Sequence, residues 1–163
     1  MIRAASGEAR KDTSPAKITE QHYERIFGVN VRGTVFTLQM AVPVLDDGAS
    51  VILNSSVCAD DGVEAFGTCA ASKAALRSYA RTWANELKGR GIRANAISPG
   101  TIDPRAIPAM VGAEDAETVK AGVAAQVPSG RMGTAEEVVT WSPSSRPSRA
   151  ASFLARRSTS RRQ

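Results

Sequence analysis

A hydroxyl, a thiol and an amine stand at spacings that could build a small reactive site. Ser56 follows a short apolar run, Cys69 lies thirteen residues later, and Lys73 lies four residues beyond Cys69. Residues four apart lie on the same face of a helix, so the amine and the thiol would be neighbours. A nearby cation lowers the pKa of an acidic side chain. An acidic side chain beside an amine, with a hydroxyl nearby, is an arrangement suited to proton transfer.

The elements that must position these residues alternate between helices and strands. Thr19 can cap a helix, and apolar residues then recur every three or four positions as far as Leu45. We predict a loop at residues 1–17, a helix from residue 20 to residue 45, a strand at 50–54, a helix at 72–87, a strand at 92–97, a short helix near 113–125 and a helix opened by the capping box Thr134-Ala135-Glu136-Glu137. This alternation is typical of the α/β class. Because two strands do not form a stable sheet, we expect the chain to need partner strands.

The composition indicates one soluble globular domain followed by a basic tail. The net charge is +5, but residues 141–163 hold six arginines and no acid, so residues 1–140 carry −1. We interpret residues 141–163 as a disordered basic tail, with nucleic-acid binding through its arginines as the weaker alternative. The sequence has no run of about 18 apolar residues, so we expect no membrane span. We also expect no secretory signal. Two cysteines without a disulfide pattern favour the cytoplasm, and a single histidine argues against a metal site.

Six motifs follow one another along residues 16–140. They are Val29-Asn30-Val31-Arg32-Gly33, Asn54-Ser55-Ser56, Ala71-Ser72-Lys73-Ala74-Ala75-Leu76, the segment from Gly91 to Gly100, Gly130-Arg131-Met132-Gly133, and Glu136-Glu137-Val138. In type and order they resemble the C-terminal part of a classical short-chain dehydrogenase/reductase. The resemblance implies a partial Rossmann-like fold, a doubly wound parallel sheet that lacks the first βαβ units and the last strand. It also implies an oxidoreductase that transfers a hydride between NAD or NADP and a small carbonyl compound or secondary alcohol.

The resemblance also assigns roles to individual residues. Asn30 would support a water molecule in a proton relay, and Ser56 would hydrogen-bond the substrate oxygen. Lys73 would bind the nicotinamide ribose and lower the pKa of an acid at position 69. That acid is a tyrosine in the family and is Cys69 here. The residues that would border the nicotinamide are Pro99, Gly100 and Ile102.

Each of these residues also has a purely structural interpretation. Ser55 and Ser56 could be hydrogen-bonded loop residues, Lys73 a solvated helix lysine and Asn30 a surface amide. Cys69 could be a small apolar residue that fills a gap, a reactive thiol in an inactive relic, or a working alternative acid. A thiol ends several bonds short of a phenolic oxygen, and loss of a positioned general acid costs about 10²–10⁴ in rate.

Two further departures from the family pattern matter more for activity than Cys69 does. No Gly-rich turn of the kind that holds a pyrophosphate is present in the sequence. The C-terminal sequence typical of the family is also missing after Thr140. A shifted reading frame from that position would permit a family-like peptide. We therefore hypothesise that residues 141–163 are a frameshift product. We therefore expect residues 1–140 to form a partial oxidoreductase domain with little activity. The alternative is a non-catalytic oligomerisation module, a homo-oligomer formed through the helices at 29–45 and 72–87.

Overall fold

Helices pack against a small parallel sheet in this computed structural model, which describes residues 2–4, 15–103 and 113–140. The α/β class predicted from the sequence is confirmed. In chain order the strands and helices are β1 Ile2–Ala4, α1 Glu20–Phe27, α2 Gly33–Ala41, β2 Ser50–Asn54, α3 Cys58–Asp61, α4 Gly67–Glu86, β3 Arg93–Ile97, α5 Ala113–Ala124 and α6 Ala135–Thr140. Short 3₁₀ turns lie at Pro15–Lys17, Val42–Val44 and Lys88–Arg90.

The sheet has three strands in the order β1-β2-β3, and both pairings are parallel. Ile2 pairs with Val51, and Ser50 pairs with Arg93. The prediction of a loop over residues 1–17 is therefore wrong at residues 2–4, where a third strand completes the minimum for a stable sheet. Three residues are too few to show the alternation that marks a strand in a sequence. The strand predicted at 92–97 begins one residue later, and the strand at 50–54 is confirmed.

The first helical stretch begins where the sequence predicted. Thr19 caps α1, because its hydroxyl oxygen accepts a hydrogen bond from the His22 backbone N–H at 3.2 Å. A π-helical turn, Gly28–Arg32, joins α1 to α2. Leu38 of α2 is buried in the core, as the apolar spacing predicted. Arg90 fixes the end of this stretch: it donates to the Val42 carbonyl at 2.8 Å and also to the Leu45 carbonyl.

Helix α4 packs across the sheet and carries much of the core. Leu76 and Ala80 are buried against β2 and β3, and the rings of Tyr79 and Trp83 lie 4.8 Å apart beside them. The helix begins at Gly67, five residues before the predicted start at Ser72. Phe66 at its N-terminus makes no side-chain capping bond. The usual sequence signal of a helix start was therefore absent.

The C-terminal elements follow the prediction closely. Helix α5 lies where a short helix was expected. In the capping box that opens α6, Thr134 N–H donates to Glu137 Oε2 at 2.8 Å and Glu137 N–H donates to Thr134 Oγ1 at 3.2 Å. The predicted basic tail, residues 141–163, lies outside the described residues, and its interpretation stays a prediction. Within the described ranges, each helix is too short or too polar to cross a membrane.

Candidate active site

The site lies at the carboxyl ends of β2 and β3. Asn54 ends β2 and is followed by Ser55 and Ser56, while Pro99 comes two residues after the end of β3. The two segments stay joined beyond the strands: Ser55 N–H donates to the Ile97 carbonyl at 2.8 Å, and Val57 N–H donates to the Pro99 carbonyl at 3.1 Å. In open α/β sheets, ligands bind outside the carboxyl ends of the strands. The fold therefore places the candidate residues at the edge where a ligand is expected.

Lys73 is buried in this site and is tied to the end of β2. Its Nζ donates to the Asn54 backbone carbonyl at 2.8 Å, and Ser55 Oγ donates to the Lys73 carbonyl at 2.9 Å. The lysine is only 5% exposed, so its interpretation as a solvated helix residue is wrong. Burial lowers the pKa of the Lys73 ammonium below its usual value, and the nearby Cys69 and Cys58 thiols oppose that shift only in part.

The two serines have different surroundings. Ser55 is buried, and its hydroxyl serves to join β2 to α4 through Lys73. Ser56 is half-buried, and its hydroxyl oxygen accepts a hydrogen bond from the Cys58 N–H at 3.3 Å. The O–H proton of Ser56 can therefore be donated to a ligand. Of the two, Ser56 has the better placement for contact with a substrate.

Asn30 lies in a hydrogen-bond chain that leads to position 69. Its Nδ2 donates to Ser72 Oγ at 2.9 Å, and Ser72 Oγ donates to the Cys69 carbonyl at 2.7 Å. Thr34 Oγ1 donates to the Asn30 carbonyl at 2.8 Å. Asn30 and Ser72 are both fully buried, so the surface interpretation of Asn30 is wrong. The π-helical turn directs this amide towards α4. The hydrogen bonds from Asn30 through Ser72 then fix the backbone that carries Cys69.

A cavity of about 590 Å³ brings most of the predicted residues together. Asn30 is not among the residues that line it; its place in the site is through Ser72. Ile102 is held in the wall by a parallel bridge to Gly133, whose N–H donates to the Thr101 carbonyl at 2.9 Å. The lining residues are Asn54, Ser55, Ser56, Cys58, Phe66, Cys69, Lys73, Pro99, Gly100, Ile102, Ala135 and Val138.

Six lining residues were not predicted as part of the site, and two of them, Asn54 and Ser55, had been noted only as members of a motif beside Ser56. Cys58 and Phe66 come from the segment between β2 and α4, and Ala135 and Val138 come from α6. Ser72, which orders the backbone of Cys69, was assigned only to the start of a helix. A small hydroxyl inside an Ala-rich helix gives no signal that it is buried. The capping box located α6, but periodicity does not reveal which cavity a helix face covers.

The lining chemistry limits what the cavity can do. Among the described residues that line it, none carries a carboxylate, and Lys73 supplies the one ammonium group. Ser56 offers a hydroxyl, and Cys58 and Cys69 offer thiols. The Asn54 Oδ1 atom is buried and accepts no hydrogen bond from the described part of the chain. Such a cavity suits a ligand with an apolar body and an oxygen or hydroxyl group for these polar atoms.

A parallel sheet with polar residues at the carboxyl ends of its strands defines a Rossmann-like α/β protein. A family profile described as enoyl-(acyl carrier protein) reductase matches residues 2–142. The chain belongs to the short-chain dehydrogenase/reductase family, and its partial Rossmann fold is that of the family's solved structures.

Relatives of known sequence or structure extend this likeness. Oxidoreductase asL5 from Sarocladium schorii is 37% identical over 140 residues, which make up 85% of this chain and 53% of that protein. A blue fluorescent protein from a metagenomic library, solved in complex with NADPH, is 27% identical with a TM-score of 0.72 over 85% of this chain and 53% of its own. The NADH-dependent reductase A1-R′, responsible for alginate metabolism, is 28% identical with a TM-score of 0.66 over 82% of this chain and 51% of its own. The chain spans about half the length of the curated relatives it matches.

Proposed function

We propose that the cavity is a site for oxidation and reduction of a small carbonyl compound or secondary alcohol with NAD or NADP, and that this chain turns over slowly. The observation that carries the proposal is the arrangement of Ser56, Cys69 and Lys73 around one cavity at the carboxyl ends of β2 and β3. Membership of an oxidoreductase family supports it, as do relatives that bind NADPH or depend on NADH.

The residues present fit a nicotinamide nucleotide at one side of the cavity. Lys73 Nζ could donate to a ribose hydroxyl, and the Asn54 Oδ1 atom, which lacks a hydrogen bond within the described residues, could accept from such a hydroxyl. Gly100 lines the wall, and a Cβ atom added there would meet nothing within 4 Å, so the ring would have room beside it. Bound there, the nicotinamide would supply or accept the hydride.

The protein's own part is to hold the substrate oxygen and move a proton at it. The Ser56 hydroxyl would donate a hydrogen bond to that oxygen. Cys69 lies one helical turn before Lys73 and is 2% exposed, so its short thiol stays close to the helix. A proton donor must come within hydrogen-bond reach of the oxygen that it serves. We therefore assign slow turnover in part to the missing reach at position 69, beside the absence of a Gly-rich turn from the sequence.

The test is the substitution Cys69→Tyr, with Cys69→Ser as the matched control. The tyrosine would extend into the cavity and place a phenol near Ser56, so we expect turnover to rise by about 10²–10⁴. The serine is as short as the cysteine and should leave the rate low. Carbonyl reduction is followed by nicotinamide absorbance, with aldehydes and ketones of several sizes as substrates.

Cofactor binding is measured separately, by tryptophan fluorescence titration with NADH and NADPH. If Cys69→Tyr binds either cofactor as tightly as an active relative and still gains no rate, the assignment of the site is wrong. If the parent chain already turns over as fast as the tyrosine variant, the claim of slow turnover is wrong. Weak binding in all variants would place the limit in the cofactor contacts rather than at position 69.

A second candidate function is a non-catalytic oligomerisation module. Phe36, Met40 and Val44 follow one another at four-residue steps along α2 and the turn after it, and they are 50%, 79% and 80% exposed. Exposed apolar residues in one stripe favour a protein partner. A second copy of the chain is the simplest partner, through the helices at 29–45 and 72–87.

Light scattering after size-exclusion chromatography tests this second function. We expect a dimer that Met40→Glu converts to a monomer. Val63→Glu is the matched control, because Val63 is also exposed, at 45%, but belongs to the segment after α3 and not to α2. A monomeric parent chain, or equal effects of the two substitutions, would contradict it.

A further inference from the structure

Cys58 is a nucleophile in the cavity that the proposed hydride transfer does not use. It forms no disulfide, it is half-buried, and it lines the cavity from the start of α3. The second cysteine of the chain, Cys69, lines the same cavity but is only 2% exposed. Of the two thiols, that of Cys58 is therefore the more accessible to a molecule that enters the cavity.

A hydroxyl and a positive charge accompany this thiol. The Cys58 backbone N–H donates to Ser56 Oγ at 3.3 Å, so the two residues lie side by side in the wall, and the Ser56 O–H can donate to an oxygen atom of a ligand. Burial lowers the pKa of Lys73, and the negative charges of Cys69 and then of Cys58 act against this shift. The Lys73 ammonium is therefore within electrostatic reach of Cys58. A thiolate beside a lysine is the reactive form of cysteine.

These groups define the kind of molecule that would react. The hydroxyl calls for a carbonyl oxygen, and the thiol beside it calls for an electrophilic carbon a few bonds from that oxygen. A conjugated enone has both, because its β carbon lies three bonds from the carbonyl oxygen. Its hydrocarbon part suits the rest of the wall, which is largely apolar and includes Phe66, Pro99, Ile102 and Val138.

We propose that the cavity captures small apolar α,β-unsaturated ketones and aldehydes covalently, through a thioether between Cys58 Sγ and the β carbon. The sulfur lone pair forms the S–C bond, the C=C π pair moves between the α carbon and the carbonyl carbon, and the C=O π pair moves to oxygen, where the Ser56 hydroxyl stabilises it. The enolate then takes up, at its α carbon, the proton that the thiol released. Thiol and enone thus give one thioether, and no oxidant, reductant or cofactor takes part.

This modification is separate from the hydride transfer proposed above. It needs no nicotinamide and no proton donor at position 69, so either proposal can fail without the other. A thioether at Cys58 would occupy the cavity and would close it to other carbonyl compounds.

The test is enone labelling of the full chain without any nicotinamide. The probe is 2-cyclohexen-1-one, and mass spectrometry of the intact protein and of its peptides counts and locates the additions. We expect one addition, at Cys58, with a rate that levels off as the enone concentration rises, because binding precedes bond formation. Cyclohexanone has the same ring and carbonyl group but no electrophilic β carbon. At ten times its dissociation constant it should slow the labelling about tenfold by simple competition.

A thiol moved to the surface provides the matched control. Cys58→Ser should lose the addition, and the double variant Cys58→Ser/Ser78→Cys places a thiol at an exposed position of α4 instead. Its labelling should rise in proportion to the enone concentration and should be indifferent to cyclohexanone, with folding of both variants checked by circular dichroism. Preferential labelling of Cys69 would overturn the proposal, as would labelling of Cys58 that behaves like that of the surface thiol.

The substitution Ser56→Ala separates the role of the hydroxyl from a change in the shape of the wall. Iodomethane alkylates a thiolate but carries no oxygen for the hydroxyl to bind. Loss of one donor to a developing oxyanion costs about 10²–10³ in rate in enzymes, so Ser56→Ala should slow enone addition at Cys58 by at least about tenfold. Methylation of Cys58 should keep the parent rate. Equal effects on the two reagents would contradict the role given to Ser56 in the capture.

Discussion

The substitution Ser72→Ala should weaken the contact between the first helical stretch and α4. Ser72 is fully buried, and its hydroxyl accepts from Asn30 Nδ2 at 2.9 Å and donates to the Cys69 carbonyl at 2.7 Å. Alanine removes both bonds. The Cys69 carbonyl keeps its place in the helical hydrogen-bond ladder, so the main loss is the acceptor for the buried Asn30 amide.

The expected change in the free energy of unfolding follows from these bonds. Removing the partner of a buried polar group costs about 1–3 kcal/mol. Alanine has the higher helix propensity and recovers roughly 0.5 kcal/mol. The net destabilisation should therefore be about 0.5–2.5 kcal/mol, from these two magnitudes.

Urea unfolding followed by circular dichroism measures this change, with Ser78→Ala as the matched control. Ser78 lies in the same helix and is exposed, so its substitution carries the propensity gain without the lost bond. Asn30→Ala and the double variant complete a cycle, in which we expect a coupling energy of about 0.5–3 kcal/mol between residues in contact. Equal stability of Ser72→Ala and Ser78→Ala, or additive effects in the cycle, would refute the role given to the hydroxyl.

Two further predictions concern a turn and a capping box. Gly91 has a φ of +65°, which an L-amino acid with a Cβ atom adopts only with strain, so Gly91→Ala should destabilise the chain by about 1 kcal/mol in urea unfolding. Gly89 lies in a 3₁₀ turn without a positive φ, so Gly89→Ala should not have this effect. Equal effects of the two substitutions would contradict the prediction. Hydrogen bonds from Arg131 and then from the Thr134 backbone N–H lower the pKa of Glu137 to about 2. A lowered pKa means that the contribution of this carboxylate is present above its unfolded pKa of about 4.3 and is lost as the pH falls towards 2. A carboxyl-carbon NMR titration should find this low midpoint and a rise towards about 4.3 in Arg131→Gln; a midpoint that Arg131→Gln leaves unchanged would contradict the assigned cause.

Elements with a strong local signal were predictable from the sequence. Thr19 and Thr134 carry side-chain oxygens at helix N-termini, and both accept the predicted hydrogen bonds. The strand at 50–54 stood out because Val51, Ile52 and Leu53 form an apolar run between turn residues, and all three are buried. In each case the information lies within a few neighbouring residues, and tertiary contacts do not overrule it.

Elements that depend on a distant partner were not predictable in the same way. The strand Ile2–Ala4 exists through its pairing with β2, about 50 residues away along the chain in the register of Ile2 with Val51. The early start of α4 at Gly67 has no capping side chain to announce it. The resemblance to a known family supplied Ser56, Cys69 and Lys73 as a group, and the cavity shows them together. Their roles in a reaction stay predictions.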